Sequence, residues 1–419
     1  MKKYDNYKDS GVEWIGKIPE HWDVKKLKFI SKICNGQDQK AVIDDNGIYP
    51  IYGSGGIFGK AKSFLFDQPS VLLGRKGTID KPQYVVEPFW TVDTSYYTKI
   101  KDGFSTRLFY YLCTTINFEL YKYGSAIPSM TQGHLNEIKF SIPNTLDEQT
   151  AIANYLDRKT TQIDTLITKK EQFISLLQEE RTAVINQAVT KGLDPKVKMK
   201  DSGIEWLGEI PEHWKLMRVG SLSQCITGFA FKSDNFSFEN GIKIVRGDNV
   251  TENSLRWGDK TRYWNEYSEV LDRFQLQKND IVIGMDGSKV GKNYAYVEEK
   301  DLPLLLVQRV ARIRSNSELI AKWIHFNIGT YNFKYYINLS KTDPAIPHIT
   351  LKNITSYPIC IPDINELNLI IEKLNSKLEK LDETLKKSKQ EIELLKEYKT
   401  ALISEVVTGK VDVRDVILN

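Results

Sequence analysis

Four cysteines in 419 residues, at positions 34, 113, 225 and 360, are too few and too scattered for a disulfide framework or a zinc site. No CxxC pair occurs, and no histidine stands at a metal-ligand spacing from any of them. They read as reduced and mostly structural. Excess charge is also scarce: the formal net charge is +4, so any basic surface must be local. No apolar run approaches the roughly 18 residues of a membrane span. The opening MKKYDNYKDS has no apolar secretory stretch, so a cytoplasmic protein without a membrane partner is expected. Signatures of chemistry are missing too. There is no GxxxxGK[ST] phosphate loop, no HExxH pair and no GxSxG elbow with triad partners. The Asn/Asp-Pro-Pro-aromatic tetrad with which an amino-methyltransferase holds a flipped base does not occur either. Asp280, Asp286 and Lys289 imitate the acidic pair and lysine of a metal-dependent nuclease, but such short spacings arise often by chance. No cofactor and no metal are implied.

What is present is a duplication. KDSGVEWIGKIPEHW, from Lys8, returns as KDSGIEWLGEIPEHW from Lys200, with twelve of fifteen positions identical. RTAVINQAVTKGL, from Arg181, is echoed by KTALISEVVTGKV from Lys399, now at an offset of 218. His21 and His213 fall inside the repeated motif, where a packing or hydrogen-bonding role common to both copies is expected. His134, His325 and His348 have no partner in the sequence.

From Leu367 the apolar residues step by threes and fours: Leu367, Ile371, Leu374, Leu378, Leu381, Leu385, Ile392, Leu395, Leu402 and Val406. This is a heptad seam, interrupted only by Ser388 and Lys399. The first copy repeats it through Leu156, Ile163, Ile167, Ile174, Leu177, Val184 and Ala188, with Thr160, Lys170 and Arg181 as polar members. Lys170 matches Ser388 and Arg181 matches Lys399, so polar residues recur at the same two seam sites, where they are expected to fix register and partner choice. Each copy thus ends in a helix of about 40 residues, roughly 60 Å long. Pairing of these helices with each other, antiparallel, gives two globular heads at opposite ends of a rod. Because the end of the chain resembles the stretch that leads into the second KDSG motif, the two termini are expected to lie together.

The heads read as mixed and mainly strand. SVLLGRKGTID, QYVVE and FWTVDTSYYTKI serve the first; GIKIVRGDNV, DIVIGMDGSKVG and NYAYVEE serve the second. Each then carries an amphipathic helix, Ser105 to Tyr123 and Ser317 to about Ile337. Both continue with Ala-Ile-Pro (Ala126 to Pro128; Ala345 to Pro347) and, fifteen residues beyond the shared Ile, with Ile-Pro (Ile142-Pro143; Ile361-Pro362). Ile127 stands 105 positions after Trp22 and Ile346 stands 132 after Trp214, and little aligns between. A repeated frame with divergent contents implies two heads doing one kind of job on different targets.

Local cations supply candidates for that job. GSGGIFGK, ending at Lys60, reads as a glycine-rich turn or as a phosphate cradle. In LLGRKGT a buried strand ends in a turn offering Arg75 and Lys76, with Lys81 beyond, as a loop is offered to a phosphate backbone or base edge. A solvated turn is the alternative. IGMDGSKVGK holds the corresponding place in the second head, with Lys289 and Lys292 past the turn. Arg246, Arg256, Lys260 and Arg262 are interleaved with Trp257, Tyr263 and Trp264, a composition compatible with nucleic-acid contact, although such aromatics more often belong to a core.

Taken in order, KDSGxEWxGxIPEHW opening each half, the strand before GRKGT, AIPSMTQGHLNEIKFSIP leading into LDEQTAIANYLD, and a heptad helix ending in AVTKGLD resemble the specificity subunit of type I restriction-modification enzymes. GFAFKS at Gly228 and GIKIVRGDNV at Gly241 resemble a target-recognition domain of that family. One departure stands out: Asp147 to Gln149 precede the first helix, whereas IPDINELNLI precedes the second without the Glu-Gln pair. The resemblance implies an α+β protein in which two mixed, mainly β target-recognition domains are joined by two long antiparallel coiled-coil helices, as a pseudo-twofold tandem duplication. Its divisions would be 1–145, first target-recognition domain; 146–191, first coiled-coil helix; 192–363, linker and second target-recognition domain; 364–408, second coiled-coil helix; and 409–419, tail. It further implies a non-catalytic subunit that binds double-stranded DNA and two DNA methyltransferase subunits, joined in the full complex by two ATP-driven restriction subunits. The DNA site would have two unlike halves, about one helical turn apart, on the order of 34 Å. A coiled-coil adaptor with two heads for ligands other than DNA is the alternative. A self-sufficient nuclease or methyltransferase is a third, which predicts activity in the isolated chain.

Overall fold

The computed structural model describes residues 2–122, 128–266, 268–340 and 347–415. The landmarks Ala126, Ile127, Ala345 and Ile346, and the expected helix end at Tyr123, lie outside the described residues. The chain forms two compact units: Met1–Glu171 with Lys389–Asn419, and Gln172–Ser388.

In the first unit, strand Ser70–Gly74 is buried along its whole length. A run of Val and Leu without alternation suits a strand covered on both faces. It lies in an antiparallel sheet ordered Ser31–Asn35, Ser95–Ile100, Ser70–Gly74, Gln83–Val85. A second sheet places Tyr49–Gly53 between antiparallel Gly56–Ala61 and parallel Trp90–Thr91. Against the first sheet pack Leu108, Phe109, Tyr111 and Leu112 of helix Thr106–Thr114, with Phe140, Ile142 and the helical residues Leu156, Leu402 and Val406.

The second unit repeats this topology with hardly a residue in common. Its four-stranded sheet runs Gln224–Thr227, Val310–Arg314, Ile281–Gly284, Tyr294–Tyr296, all antiparallel. Its three-stranded sheet sets Ile242–Val245 between antiparallel Tyr263–Trp264 and parallel Leu304–Leu306. One glycine in each head shows why the frame is strict. A Cβ on Gly36 would sit 2.0 Å from Val92 O, and one on Gly228 2.3 Å from Val307 O, so only glycine lets these crossing backbones meet.

The amphipathic helices are shorter than the sequence suggests. The first ends at Thr114 and the second at Ile328, with a separate helix at Tyr331–Ser340. Hydroxyls explain both breaks: Thr114 and Thr115 donate back to the carbonyls of Tyr111 and Leu112. Thr330 Oγ1 donates to Asn327 O (2.6 Å) and accepts from Phe333 N, capping the next helix.

The heptad segments form helices Leu146–Lys191 and Ile364–Val407. Asp363 caps the second, its Oδ1 accepting from Asn365 N and Glu366 N. Gly192 and Gly409 follow the two helix ends in the left-handed conformation (φ +73° and +74°) that terminates a helix without a Cβ penalty. In the first unit the segments run antiparallel, since Asp164 meets Lys399 while Lys170 meets Glu391. Leu156 and Ile163 are buried there, as is Ile392, with Ile167 and Leu395 partly so; Thr160 is buried too. In the second unit Leu177, Leu374, Leu378, Leu381 and Leu385 are buried and Ile174 packs against them. The polar seam members keep their stems at the seam and carry their charges to its rim. Arg181 Nε lies 3.1 Å from Asp382 in one unit, and Lys399 Nζ 2.7 Å from Asp164 in the other. Both members of the two pairs differ by 218 in number, so the ion pair is itself duplicated.

Each unit is closed by the repeated motif. Hairpin Tyr7–Asp9/Lys17–Pro19 delivers Trp22, fully buried, to the start of the first long helix and the end of the second. Trp22 Nε1 donates to Glu148 Oε1 (3.0 Å), His21 Nε2 bonds Glu148 Oε2 (2.9 Å), and Tyr4 Oη donates to the same carboxylate (2.9 Å). Burial, reinforced by this carboxylate, holds the Tyr4 phenol well above its ordinary pKa. In the second unit Trp214 Nε1 and His213 Nε2 bond Glu366 Oε2 at 3.2 and 2.7 Å. Glu366 stands 218 residues after Glu148. The departure noted before the second helix is therefore confined to Gln149, whose place is taken by the buried Leu367. The ends of the described chain also meet: Asp412 N donates to Lys2 O (2.9 Å) and Tyr7 Oη to Gly409 O (3.1 Å). The motif at Lys8 thus sits beside the end of the second helix, as expected.

Candidate nucleic-acid interface

Strand Ser70–Gly74 stops because the loop folds over it: a Cβ on Gly74 would lie 2.2 Å from Thr78 O. The tip that follows, Arg75-Lys76-Gly77, is fixed by main-chain bonds from two other segments. Arg75 N and Lys76 N donate to Thr94 O (2.8 and 3.2 Å), Gly77 N donates to Pro128 O (3.0 Å), and Met130 N donates to Arg75 O (2.9 Å). Gly77 has φ +84°. The glycine-rich turn joins the same place, since a Cβ on Gly77 would lie 3.2 Å from Ser54 Oγ. Two motifs far apart in sequence, GSGG and GRKG, therefore form one edge of the head. Arg75 Nη1 donates to Asp93 O (3.3 Å) and Lys76 is exposed. Lys60 is exposed near the other end of its strand, opposite Pro50, and Lys81 is exposed past the loop.

The second head builds the same tip from Met285-Asp286-Gly287. Met285 N donates to Arg309 O (2.9 Å), Gly287 N to Pro347 O (3.0 Å), and Ile349 N to Met285 O (2.9 Å). Three of the four main-chain bonds recur, so Met285 stands where Arg75 stands, Asp286 for Lys76, Arg309 for Thr94 and His348 for Ser129. IGMDGSKVGK thus holds the expected place, but the cations of the first tip have no counterpart at the second. Lys289 and Lys292 are exposed in the turn beyond, where Lys289 O accepts from Lys292 N. The residue nearest Asp286 in function, Arg309, was not singled out from sequence. Its Nη1 lies 2.9 Å from Asp286 Oδ2 and its side chain is 70% exposed.

Arg246, Arg256, Lys260 and Arg262 do assemble, around the buried amide of Asn249. Its Nδ2 donates to Arg256 O and Lys260 O, while Arg246 Nη2 donates to Lys260 O (3.0 Å). Arg256 Nη2 reaches Asp248 O, and Arg262 lies 4.2 Å over Phe238 while donating to Asp259 O and Thr261 O. Arg256 and Lys260 are exposed; Arg246 and Arg262 are partly covered. Trp264 belongs to the core, packed on Phe231 at 4.7 Å, whereas Trp257 lies under Lys243.

No nuclease-like centre forms from Asp280, Asp286 and Lys289. Asp280 is buried and gripped by Arg314 (2.6 Å), whereas Asp286 is committed to Arg309. Among the described residues no three His, Cys, Asp or Glu side chains gather as a metal set. All four cysteines are free, and burial pushes the Cys360 thiol up to about 12 and that of Cys113 well above its ordinary value, which makes both inert. Among the described residues no helix is long and apolar enough to cross a membrane.

The sequence model of the type I restriction modification DNA specificity domain matches residues 19–175 and again 211–394, one match over each head and the helix that follows it. The chain belongs to this family. Relatives include the type I restriction enzyme MjaVIII specificity subunit of Methanocaldococcus jannaschii, 25% identical over 95% of both chains. The type I restriction enzyme EcoAI specificity subunit of Escherichia coli is 28% identical over 48% of this chain and 34% of that one. Among solved structures, a chain from the complex assembly and conformational transition of the type I R-M system superposes with a TM-score of 0.71 at 11% identity, covering 94% of this chain and 99% of that one. That likeness establishes a shared fold.

Proposed function

We propose that this chain is the DNA sequence-specificity subunit of a type I restriction-modification system, reading a bipartite, asymmetric site with one half assigned to each head. The observation that carries this is the pair of tips. Their backbones are pinned by the same three main-chain bonds, while their side chains differ in charge, Arg75-Lys76 with Thr94 against Met285-Asp286 with Arg309. A repeated frame presenting unlike side chains is what two unlike half-sites require. The subunit would act without catalysis of its own in the cytoplasm, positioning two DNA methyltransferase subunits on double-stranded DNA, with two restriction subunits joining in the full complex. Residues 1–145 and 192–363 would serve as the two target-recognition domains, with helices 146–191 and 364–408 as the surfaces that carry partners. The methyltransferases would each take an adenine out of the stack. Exposed cations (Lys60, Lys76, Lys81, Arg256, Lys260, Lys289, Lys292) would supply salt-dependent phosphate contacts, and Arg75, Arg246 and Arg262 more rigid ones.

Methylome sequencing of a host expressing this chain with its methyltransferase partner tests the reading. Adenine methylation at one bipartite, non-palindromic motif is expected. A palindromic motif, or none with an active partner present, refutes it.

A further inference from the structure

Arg309 is one of only three non-glycine residues with positive φ among the described residues, at +67°. A bulky residue there costs on the order of 1 kcal/mol or more, a cost usually met where the conformation serves a site. Stability does not account for it. Its side chain is 70% exposed and its ion pair with Asp286 lies at the surface, where such pairs contribute little. The strain does aim the side chain. Arg309 O is tied to Met285 N, so the turn Val307–Val310 and the tip Met285–Gly287 are held as one body. Asp286 in turn is bridged to His348 and lies beside Gly247, where a Cβ would come within 3.6 Å of its Oδ1. The bridge to His348 holds the backbone of Asp286, and its Oδ2, 2.9 Å from Nη1, orients the guanidinium.

We infer that Arg309, buttressed by Asp286, is a base-reading residue of the second head and that it reads guanine. The inference rests on the DNA-reading function proposed above. With Nη1 on Asp286, and neither Nη2 nor Nε bonded among the described residues, these two donors can meet the O6 and N7 acceptors that only guanine presents side by side in the major groove. Asp286 plays a positioning part: it removes the rotational freedom that an exposed arginine otherwise loses on binding. At the equivalent positions of the first head stand Lys76 and Thr94, which offer no such fork, so a guanine contact from this position belongs to the second head.

The test uses the complex of the full chain with its methyltransferase, first to define the wild-type motif and then to measure Kd on that site and on its single-base variants. The wild-type second half-site should contain a G·C pair at which substitution weakens binding on the order of ten- to a hundredfold. Arg309→Ala should bring that ratio near one and leave the ratios at other positions, and throughout the first half-site, unchanged. Asp286→Asn should lower the same ratio partially, with a smaller effect on total affinity. Arg309→Gly, which accepts the positive φ without strain, should behave as Arg309→Ala. That agreement separates loss of the guanidinium from any folding defect. A second half-site without G·C pairs, unchanged discrimination in both Arg309 variants, or a uniform loss across all sequences with a shallower salt dependence each overturn the inference. A wild-type complex that recognises no bipartite motif refutes the DNA-reading function itself, a different result from any of these.

Discussion

Glu148→Leu and Glu366→Leu should destabilise their own units by different amounts, although the two glutamates occupy equivalent places. Glu148 is almost wholly enclosed, and its carboxylate accepts from two buried donors, Trp22 Nε1 and Tyr4 Oη, besides His21. Leucine would leave both donors orphaned, at about 1–3 kcal/mol each. The imidazole of His21 is 44% exposed and turns to water, so its bond adds little. Glu366 serves one buried donor, Trp214 Nε1, and the 48%-exposed His213; position 196, the counterpart of Tyr4 in the repeat, is lysine. Loss of the favourable charge at a helix N-terminus, about 0.3–1 kcal/mol, is common to both. Glu148→Leu should therefore cost roughly 1–3 kcal/mol more than Glu366→Leu. Native-state hydrogen exchange read by peptide reports the units separately: segments 15–24 and 402–413 for one, 207–216 and 185–193 for the other. Tyr4→Phe should be costly in the parent chain and nearly free in the Glu148→Leu background, because both changes break one bond. Equal losses in the two units, or additive effects of Tyr4→Phe and Glu148→Leu, would refute this account of the junction.

Leucine at Lys170, Arg181, Ser388 and Lys399 together should raise the thermal midpoint, since the aspartates left behind, Asp164 and Asp382, are each more than half exposed and readily hydrated. The same change should allow mixed association states in analytical ultracentrifugation; a single unchanged state would dismiss the register role of these residues. His325 should make the second unit acid-sensitive. Burial, with the Arg181 charge second, lowers its pKa to about 4, so its contribution is intact above the unfolded value near 6.5 and is lost as pH falls from there toward 4. His325→Gln should flatten stability between these limits in denaturant melts; an unaltered slope would assign the acid sensitivity elsewhere.

The seam was legible because a 3.5-residue period survives in sequence whatever packs beside it; its recurring polar members were legible too, but their partners Asp382 and Asp164 were not. Glu366 was hidden by its neighbours. The Glu-Gln pair is not repeated, but only the glutamate bonds the tryptophan, and the offset of 218 shared with the seam was the signal that could have found it. The three-stranded sheets were legible only in part: FWTVDTSYYTKI and GIKIVRGDNV contain Trp90–Thr91 and Ile242–Val245, but Tyr263–Trp264 is two residues long and pairs across distant sequence, where no periodicity accumulates. Arg309 escaped for a similar reason. Its backbone strain and its distance from Asp286 are properties of two loops 23 residues apart, and neither is written in residue type. The helix overrun past Thr114 and Ile328 has a local cause, hydroxyls that turn back on the carbonyls before them.

The two kinds of repetition in this chain follow from which atoms hold each place together. At the closing junction the bonds run through side chains, Trp and His to Glu, so the residues themselves must recur for the geometry to recur, and PEHW does. At the tips every fixing bond is main chain to main chain, and the steric demand falls on glycines: Gly77 and Gly287 with positive φ, Gly36 and Gly228 where backbones cross. Lys76, Thr94, Asp286 and Arg309 contribute only their main chains to that frame, whereas the Met285 side chain is packed into the core. Lysine stands at 76 where aspartate stands at 286, and threonine at 94 where arginine stands at 309, while the main-chain bonds that fix the two tips recur. A head built this way can change what it reads by changing only tip residues, while the parts that join it to the long helices stay fixed.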